Sequence, residues 1–425
     1  MMINWIKRLI GLENKRKGTA DVFCMMPWVH FHVTQLGTVT PCCQAPWQEE
    51  TAFGNINREN IAQIWNGKKM AAFRKNMKNG VPDKRCEGCY EKEKQGFTSL
   101  RQITNKNYFH HYDRVNQTLK DGQIPGTTPV YFDIRFSNVC NLRCRICGPW
   151  SSSSWHNDAV ALGMKSENAP AITVSVHNTE RLFSELEGMM PDMEEFYFAG
   201  GEPLVTEEHY RLLDMLIKHG KTDVKLTYNT NFSSFEYKGV NVLELWKKFR
   251  QVNIAASLDA EGMRGELLRK NLDWTRVEDN RLKLLKELPH AEFTVSPTLN
   301  VYNLLHLPDF HRNWTQRGLI GVEDFIPTLL IKPNELAVSA LTYTVKKQAL
   351  GLYKKHLEWI AQQTVTKPEK YEHMISQFKN VMIVLNAKGD KNIKTRLKQH
   401  VNSLDSLRNE NTLKVFPELG NREML

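Results

Sequence analysis

Eight cysteines carry the chemistry legible in this 425-residue chain, at positions 24, 42, 43, 86, 89, 140, 144 and 147, with none beyond. Cys140, Cys144 and Cys147 stand x3 and x2 apart on one short stretch. A [4Fe–4S] cluster takes one thiolate per iron, so three close thiolates hold three irons and leave the fourth open to another ligand. Taken alone, the triplet also suits a structural zinc site completed by His156. The five upstream cysteines exceed by one the four that a closed site needs. Cys24, Cys86, Cys89 and one of the Cys42–Cys43 pair make the natural set, with Cys42 preferred because it follows Pro41 at a strand end. A four-cysteine zinc site is the alternative there. Disulfide frameworks serve small secreted domains, whereas this chain is long and its first residues mix apolar and basic groups without a leader pattern. Metal ligation in a cytoplasmic protein is the expectation.

The elements that must position these thiols follow from the pattern of the chain. Strands are expected at 130–136, 194–198, 224–228, 252–258, 292–297 and 322–329, with helical patterns such as 209–218 and 280–288 between them. Strands separated by helices make a parallel sheet with right-handed crossovers. Six such units predict an α/β fold, a partial (β/α)6 parallel barrel. An insertion is expected around 151–180. The cysteine triplet follows the first strand. Gly200, Gly201, Glu202 and Pro203 follow the second, Tyr228-Asn229-Thr230-Asn231 ends the third, Ser257-Leu258-Asp259 the fourth and Thr298–Asn303 the fifth. All lie at the carboxyl ends of parallel strands, where barrels assemble active sites. Five polar strand ends on one rim exceed what helix capping requires. Five regions result: a basic segment 1–20, a cysteine-rich domain 21–112, a linker 113–129, the barrel 130–332 and a helical C-terminal extension 333–425.

The order Cys-x3-Cys-x2-Cys, Gly-Gly-Glu-Pro, Asn-Thr-Asn and Ser-x-Asp closely resembles the radical S-adenosylmethionine enzymes, over roughly 130–332. The resemblance implies Cys140, Cys144 and Cys147 as catalytic cluster ligands, with S-adenosylmethionine at the open iron. It implies reductive cleavage of that cofactor to a 5′-deoxyadenosyl radical. Gly200, Gly201, Glu202 and Pro203 would surround the methionyl amine. Asn229 or Asn231, Ser257, Asp259 and Asn303 would contact the carboxylate, ribose or adenine. The residue before the third cysteine is usually aromatic in this family and is Ile146 here. Upstream, Gly37–Cys43, Phe53–Ile56, Ile64-Trp65 and Cys86-x-x-Cys89 resemble the SPASM/twitch auxiliary-cluster module. That implies a second [4Fe–4S] cluster on Cys24, Cys42, Cys86 and Cys89. In relatives the module usually follows the barrel; in this chain it precedes it.

Such modules often accompany peptide maturation, so the resemblance implies hydrogen abstraction from a peptide or protein undergoing modification. A carbohydrate, nucleotide or other small molecule is the second expectation, and a metal-stabilised binding protein without turnover the third. A flavodoxin or ferredoxin reductant is implied by the chemistry. The net charge of +10 is spread along the chain, and no basic patch interleaved with aromatics marks a nucleic-acid partner. No apolar run reaches the roughly 18–20 residues of a membrane span. Ser151–Ser154 before Trp155 reads as a helix start. His30 and His32 read as structural residues, and the aromatic runs 108–112 and 196–198 as packing surfaces.

Overall fold

The computed structural model describes residues 22–386 and 393–420, with the side chain of Ile393 excepted. The basic segment expected at 1–20 and the end of the polar tail lie outside these residues. The chain forms two units, one from 1–134 and 175–193, the other from 135–174 and 194–425.

In the second unit four parallel strands, Glu195–Phe198, Lys225–Thr230, Val252–Ala256 and Glu292–Val295, pair in that order. Alternation along each strand makes one face apolar and the other polar. Leu226, Tyr228 and Thr230 are buried, whereas Lys225 and Thr227 are partly covered and Asn229 is exposed. On the apolar face Tyr228 stacks on Phe198 with centroids 4.7 Å apart and meets Trp246 at 5.0 Å. Each such wholly buried ring contributes about 1.5–3 kcal/mol of transfer free energy. The helices Glu207–Lys218, Val242–Trp246 and Trp274–Glu287 supply side chains to this core, including His209, Leu213, Trp246 and Leu284. Trp274–Glu287 begins six residues before the expected start because Asp273 caps it, accepting from the Arg276 N–H at 3.2 Å.

The fifth strand resumes at Thr298–Leu299, and this piece pairs in parallel with Thr328–Leu329. The sixth strand is therefore shorter than the expected 322–329. Val322–Asp324 is a 3-10 turn, held by the Gly321 N–H donating to the Asp324 carboxylate at 3.0 Å. The extension beyond 333 is helical, with Tyr343–Ile360 and Pro368–Asn386 packed on one another and Ile393–Arg408 following. The fold class is α/β with mainly parallel strands and a helical C-terminus. No helix among the described residues is long and apolar enough to cross a membrane.

Four strands of the first unit pair with one another. Tyr131–Ile134 pairs in parallel with His30–Val33, which pairs antiparallel with Thr38–Thr40, and that strand with Gly54–Asn55. Ile61–Trp65 is started by a capping box in which Asn60 and Gln63 exchange side-chain and backbone hydrogen bonds. Lys68–Lys78 follows it and buries Met70, Phe73 and Met77. His30 and His32 are buried in this sheet; His32 Nδ1 lies 2.9 Å from Thr40 Oγ1 and its Nε2 3.7 Å from Asp133.

Candidate functional site

The loop bearing Cys140, Cys144 and Cys147 is fastened from several sides within the second unit. Arg143-Cys144 pairs antiparallel with Arg269-Lys270, and the Arg145 N–H donates to Leu268 O at 2.7 Å. The serine run does more than begin a helix. Ser153 Oγ accepts from the Cys140 N–H at 3.3 Å, Ser154 Oγ donates to Cys140 O at 2.7 Å, and Ser152 Oγ donates to Leu142 O at 2.6 Å. Trp155 Nε1 donates to Cys144 O at 2.9 Å. Four of the loop's backbone polar groups are thus satisfied by the next segment of chain. The Cys147 thiol donates to Cys144, which lowers Cys144 and, with burial, lifts Cys147 well above the usual thiol range. Burial first, then the Cys144 and Glu202 charges, push Cys140 up to about 12. A cation among these thiols would reverse that penalty on ionisation.

The Gly-Gly-Glu-Pro turn sits against the same loop. Gly201 has φ +57°, and a Cβ there would lie 2.2 Å from Val139 O, so only glycine admits this approach. The approach lets the Glu202 N–H donate to Val139 O at 2.7 Å. The Glu202 side chain is buried and accepts from Thr230 Oγ1 at 2.7 Å, Leu204 N–H at 3.0 Å and Asn231 N–H at 2.6 Å. Desolvation raises its pKa, and those three donors oppose the rise. Pro203 begins a 3-10 turn immediately after it.

The third strand separates its two asparagines. Asn229 points to the polar face and is exposed. Asn231 is buried, donates to Asn141 Oδ1 at 2.8 Å and lies 4.0 Å from Cys140 Sγ. Asp259 is also buried; it accepts from Thr298 N–H at 2.8 Å and forms an ion pair with Arg269 at 2.8 Å. Arg269 Nη1 also stands 3.7 Å from Cys144 Sγ. Its own pKa is raised: burial disfavours the cation, but the Asp259 and thiol charges outweigh that. Sequence reasoning missed Arg269 because it lies between motifs, and its signal was only an Arg-Lys pair after a glycine-containing helix. Ser257 is partly covered and donates its N–H to Thr230 O at 2.8 Å. Asn303 is buried, and its amide donates to Asp259 O and Thr298 O while accepting from the Asn300 N–H. The strand ends are therefore tied to one another as well as to the cysteine loop. A cleft of about 580 Å³ reaches Cys147, lined by Ile146, Trp150, Lys332 and Asn334 among others. His156, considered as a zinc ligand, starts the helix His156–Ala161.

In the first unit, Cys24, Cys42, Cys86 and Cys89 all line one cavity, together with Met77, Arg85 and Arg101. Cys43 is not part of that lining. Burial raises Cys24, and the charges of Cys86 and Cys89 add to it; Cys86 is pushed up to about 12, chiefly by burial. Four thiols sharing an apolar cavity suit a thiophilic metal centre.

Residues 134–313 match the family model of the radical SAM superfamily, and residues 24–90 match SPASM, an iron–sulfur cluster-binding domain. Among curated proteins, the S-adenosyl-L-methionine-dependent 2-deoxy-scyllo-inosamine dehydrogenase of Niallia circulans is 36% identical over 72 residues, 16% of this chain and 28% of its own length. Among solved structures, native anSMEcpe with bound AdoMet and Cp18Cys peptide is 18% identical, with 52% of this chain and 57% of that chain covered at a TM-score of 0.35. TYW1 with a lysine-pyruvate adduct bound is 13% identical, with 55% and 72% covered at a TM-score of 0.27. The chain spans about a quarter of the curated relative and somewhat over half of the anSMEcpe chain.

Proposed function

Because the chain carries a radical S-adenosylmethionine domain and an SPASM iron–sulfur domain, we propose that it cleaves S-adenosylmethionine reductively and uses the resulting radical to abstract hydrogen from a peptide or protein. The observation that carries this reading is the convergence on one loop of three thiols, the Glu202 carboxylate, Asn231 and the Asp259–Arg269 pair. When bound, the three-cysteine cluster supplies the electron that breaks the cofactor's sulfonium–carbon bond.

Cys140, Cys144 and Cys147 hold the cluster in this proposal. Glu202 receives the methionyl ammonium: its three hydrogen bonds fix the carboxylate and leave one lone pair to accept a charged donor. Gly200, Gly201 and Pro203 shape the turn that presents it. Arg269 offers a cation where a thiolate or a substrate carboxylate needs one, with Asp259 fixing its direction. Ser257 and exposed Asn229 are the remaining ribose and carboxylate contacts. Asn303 supports them by joining the fourth and fifth strand ends. Cys24, Cys42, Cys86 and Cys89 hold an auxiliary cluster.

A peptide or protein substrate is supported by the auxiliary module, the kind that often accompanies peptide maturation. A polyhydroxylated small molecule is the second reading, favoured by the aminocyclitol dehydrogenase relative. It also suits the polar sheet face, where Tyr197, Thr227, Asn253 and Glu292 stand in register across four strands. Anaerobic reduction of the iron-loaded protein with S-adenosylmethionine tests the core of the proposal. It should yield 5′-deoxyadenosine, and its absence would sink the enzymatic reading. Deuterium transfer into 5′-deoxyadenosine from labelled peptides, as against labelled aminocyclitols, then separates the two substrates.

A further inference from the structure

We propose that Asp405, Arg408 and Glu410, at the end of the C-terminal helix Ile393–Arg408 and just beyond it, are positioning residues for the cysteine loop. They act through the two arginines that stand between the cysteines. The proposal rests on Cys140, Cys144 and Cys147 holding the radical-generating cluster.

Arg143 lies between the first and second cysteines and pairs with Asp158 at 2.8 Å. The other Asp158 oxygen accepts from Arg408 at 2.8 Å. The Arg408 guanidinium lies over the Trp155 ring, 4.7 Å from its centroid, and Trp155 in turn bonds Cys144 O. Arg145, between the second and third cysteines, has a side chain with 0% exposure. Its Nη2 donates to Asp405 and to Glu410, each at 2.5 Å. Asp405 is fixed by Thr412, whose N–H and hydroxyl both donate to it, at 2.8 and 2.7 Å. Glu410 also pairs at 2.8 Å with Lys270, which is itself paired with Arg143 in the two-residue strand against the loop. The same loop is therefore held on Arg145 directly by Asp405 and Glu410, about 260 positions later in the chain, and on Arg143 through Asp158, which Arg408 fixes.

This arrangement exceeds what packing a terminal helix requires. Apolar contact would suffice to seat Ile393–Arg408, and Leu397, Val401 and Leu404 already supply it. Burying ion pairs is costly unless geometry and charge are well matched, and here both carboxylates, Asp405 and Glu410, meet the Arg145 cation that flanks two cysteines. Two consequences follow. The grip fixes the loop in its ligand-presenting shape before iron arrives. It also sets the charge beside the cluster, because the two carboxylates offset the Arg145 cation, and net charge near a cluster tunes its potential.

The test is the double variant Asp405→Asn with Glu410→Gln in the full chain. In iron-free protein, amide hydrogen exchange across 140–147 should accelerate at least tenfold while exchange in Tyr343–Ile360 stays unchanged. In iron-loaded protein, the potential of the three-cysteine cluster should move upward, because two negative charges are gone. Asp405→Glu with Glu410 intact keeps both charges and should keep exchange slow and the potential unchanged. Unchanged exchange together with an unchanged potential in a folded variant would overturn the proposal. If the double variant does not fold, Glu410→Gln alone carries the test, since its second partner, Lys270, is partly solvent-exposed. Exchange in the iron-free protein reports on the grip even where no cluster binds, so failure of the radical reading and failure of this inference are separable.

Discussion

Replacing Gly201 by alanine isolates the step on which the placement of Glu202 depends. The residue sits at φ +57°, so any L side chain incurs about 1–2 kcal/mol of left-handed strain. The new Cβ would also lie 2.2 Å from Val139 O and 3.0 Å from the backbone carbons of Asn138 and Val139. Backbone cannot rotate aside as a side chain can, and forced overpacking costs about 1–3 kcal/mol more. The sum, about 2–5 kcal/mol, should pull the turn away from Val139 and stretch the Glu202 N–H bond to it. Gly200→Ala is the matched control. It has φ +84°, but the atoms nearest its Cβ would be those of the aliphatic side chain of Arg135, at 3.0 Å and beyond. That neighbour need give by only a few tenths of an ångström, so the strain of about 1–2 kcal/mol is the larger share of the cost. The assay is the urea midpoint of the iron-free proteins, followed by S-adenosylmethionine affinity after anaerobic iron loading. Gly201→Ala should unfold at distinctly lower urea than Gly200→Ala and bind the cofactor at least tenfold more weakly than the parent. Equal midpoints for the two variants would refute the argument that backbone approach, rather than dihedral preference alone, makes Gly201 necessary.

The thiol set of the first unit makes a sharp prediction about neighbours in sequence: Cys42→Ser should lower iron content from about eight to about four per chain, and Cys43→Ser should leave it near eight. The reverse result would move the ligand to Cys43. Acid stability offers a separate check. Burial holds His209 and His356 down at about 3 and His311 well below its usual value. The unfolded chain then takes up these protons first, so stability is lost as pH falls from 6.5 towards 3, at about 1.4 kcal/mol per pH unit per histidine. Urea midpoints should fall between pH 7.5 and 5.5, and less steeply in His356→Gln; an equal slope in that variant would show that this histidine is not buried neutral.

Much of the barrel could be read from the chain because its signals are local. A strand of five residues followed by a polar turn announces itself within ten positions, and Glu195–Phe198, Lys225–Thr230 and Val252–Ala256 lie within two residues of their expected bounds. The sixth strand is shorter than its apolar pattern because a glycine–aspartate turn captures its first residues. At the third strand, composition could not tell Asn229 from Asn231. Their difference is set by the bend after Thr230, where the backbone turns to meet Glu202. Arg269 and the carboxylates Asp405 and Glu410 were invisible for a related reason. Their contacts with the cysteine loop span 125 to 265 positions, and no periodicity encodes a pairing at that range. The serine run showed the opposite error: its capping preference was legible, but the cysteine loop it serves had to be seen.

The two thiol groups of this chain differ first in what their own units leave available. Around Cys24, Cys42, Cys86 and Cys89 the cavity is lined largely by apolar and thiol groups, and four donors suffice to close a cluster's coordination. Around Cys140, Cys144 and Cys147 a thiol donor is missing, and polar groups crowd the place instead: a hydrogen-bonded carboxylate, an amide 4.0 Å from one sulfur and a guanidinium 3.7 Å from another. A purely structural metal site gains nothing from such neighbours, because burying a carboxylate and a guanidinium beside thiols costs desolvation that a fourth cysteine would avoid. The expense is accounted for when those groups serve a ligand that arrives with charges of its own. A zwitterion bearing an ammonium, a carboxylate and a sulfonium is such a ligand. The electrostatics of the strand ends therefore argue for the cofactor independently of the cysteine spacing.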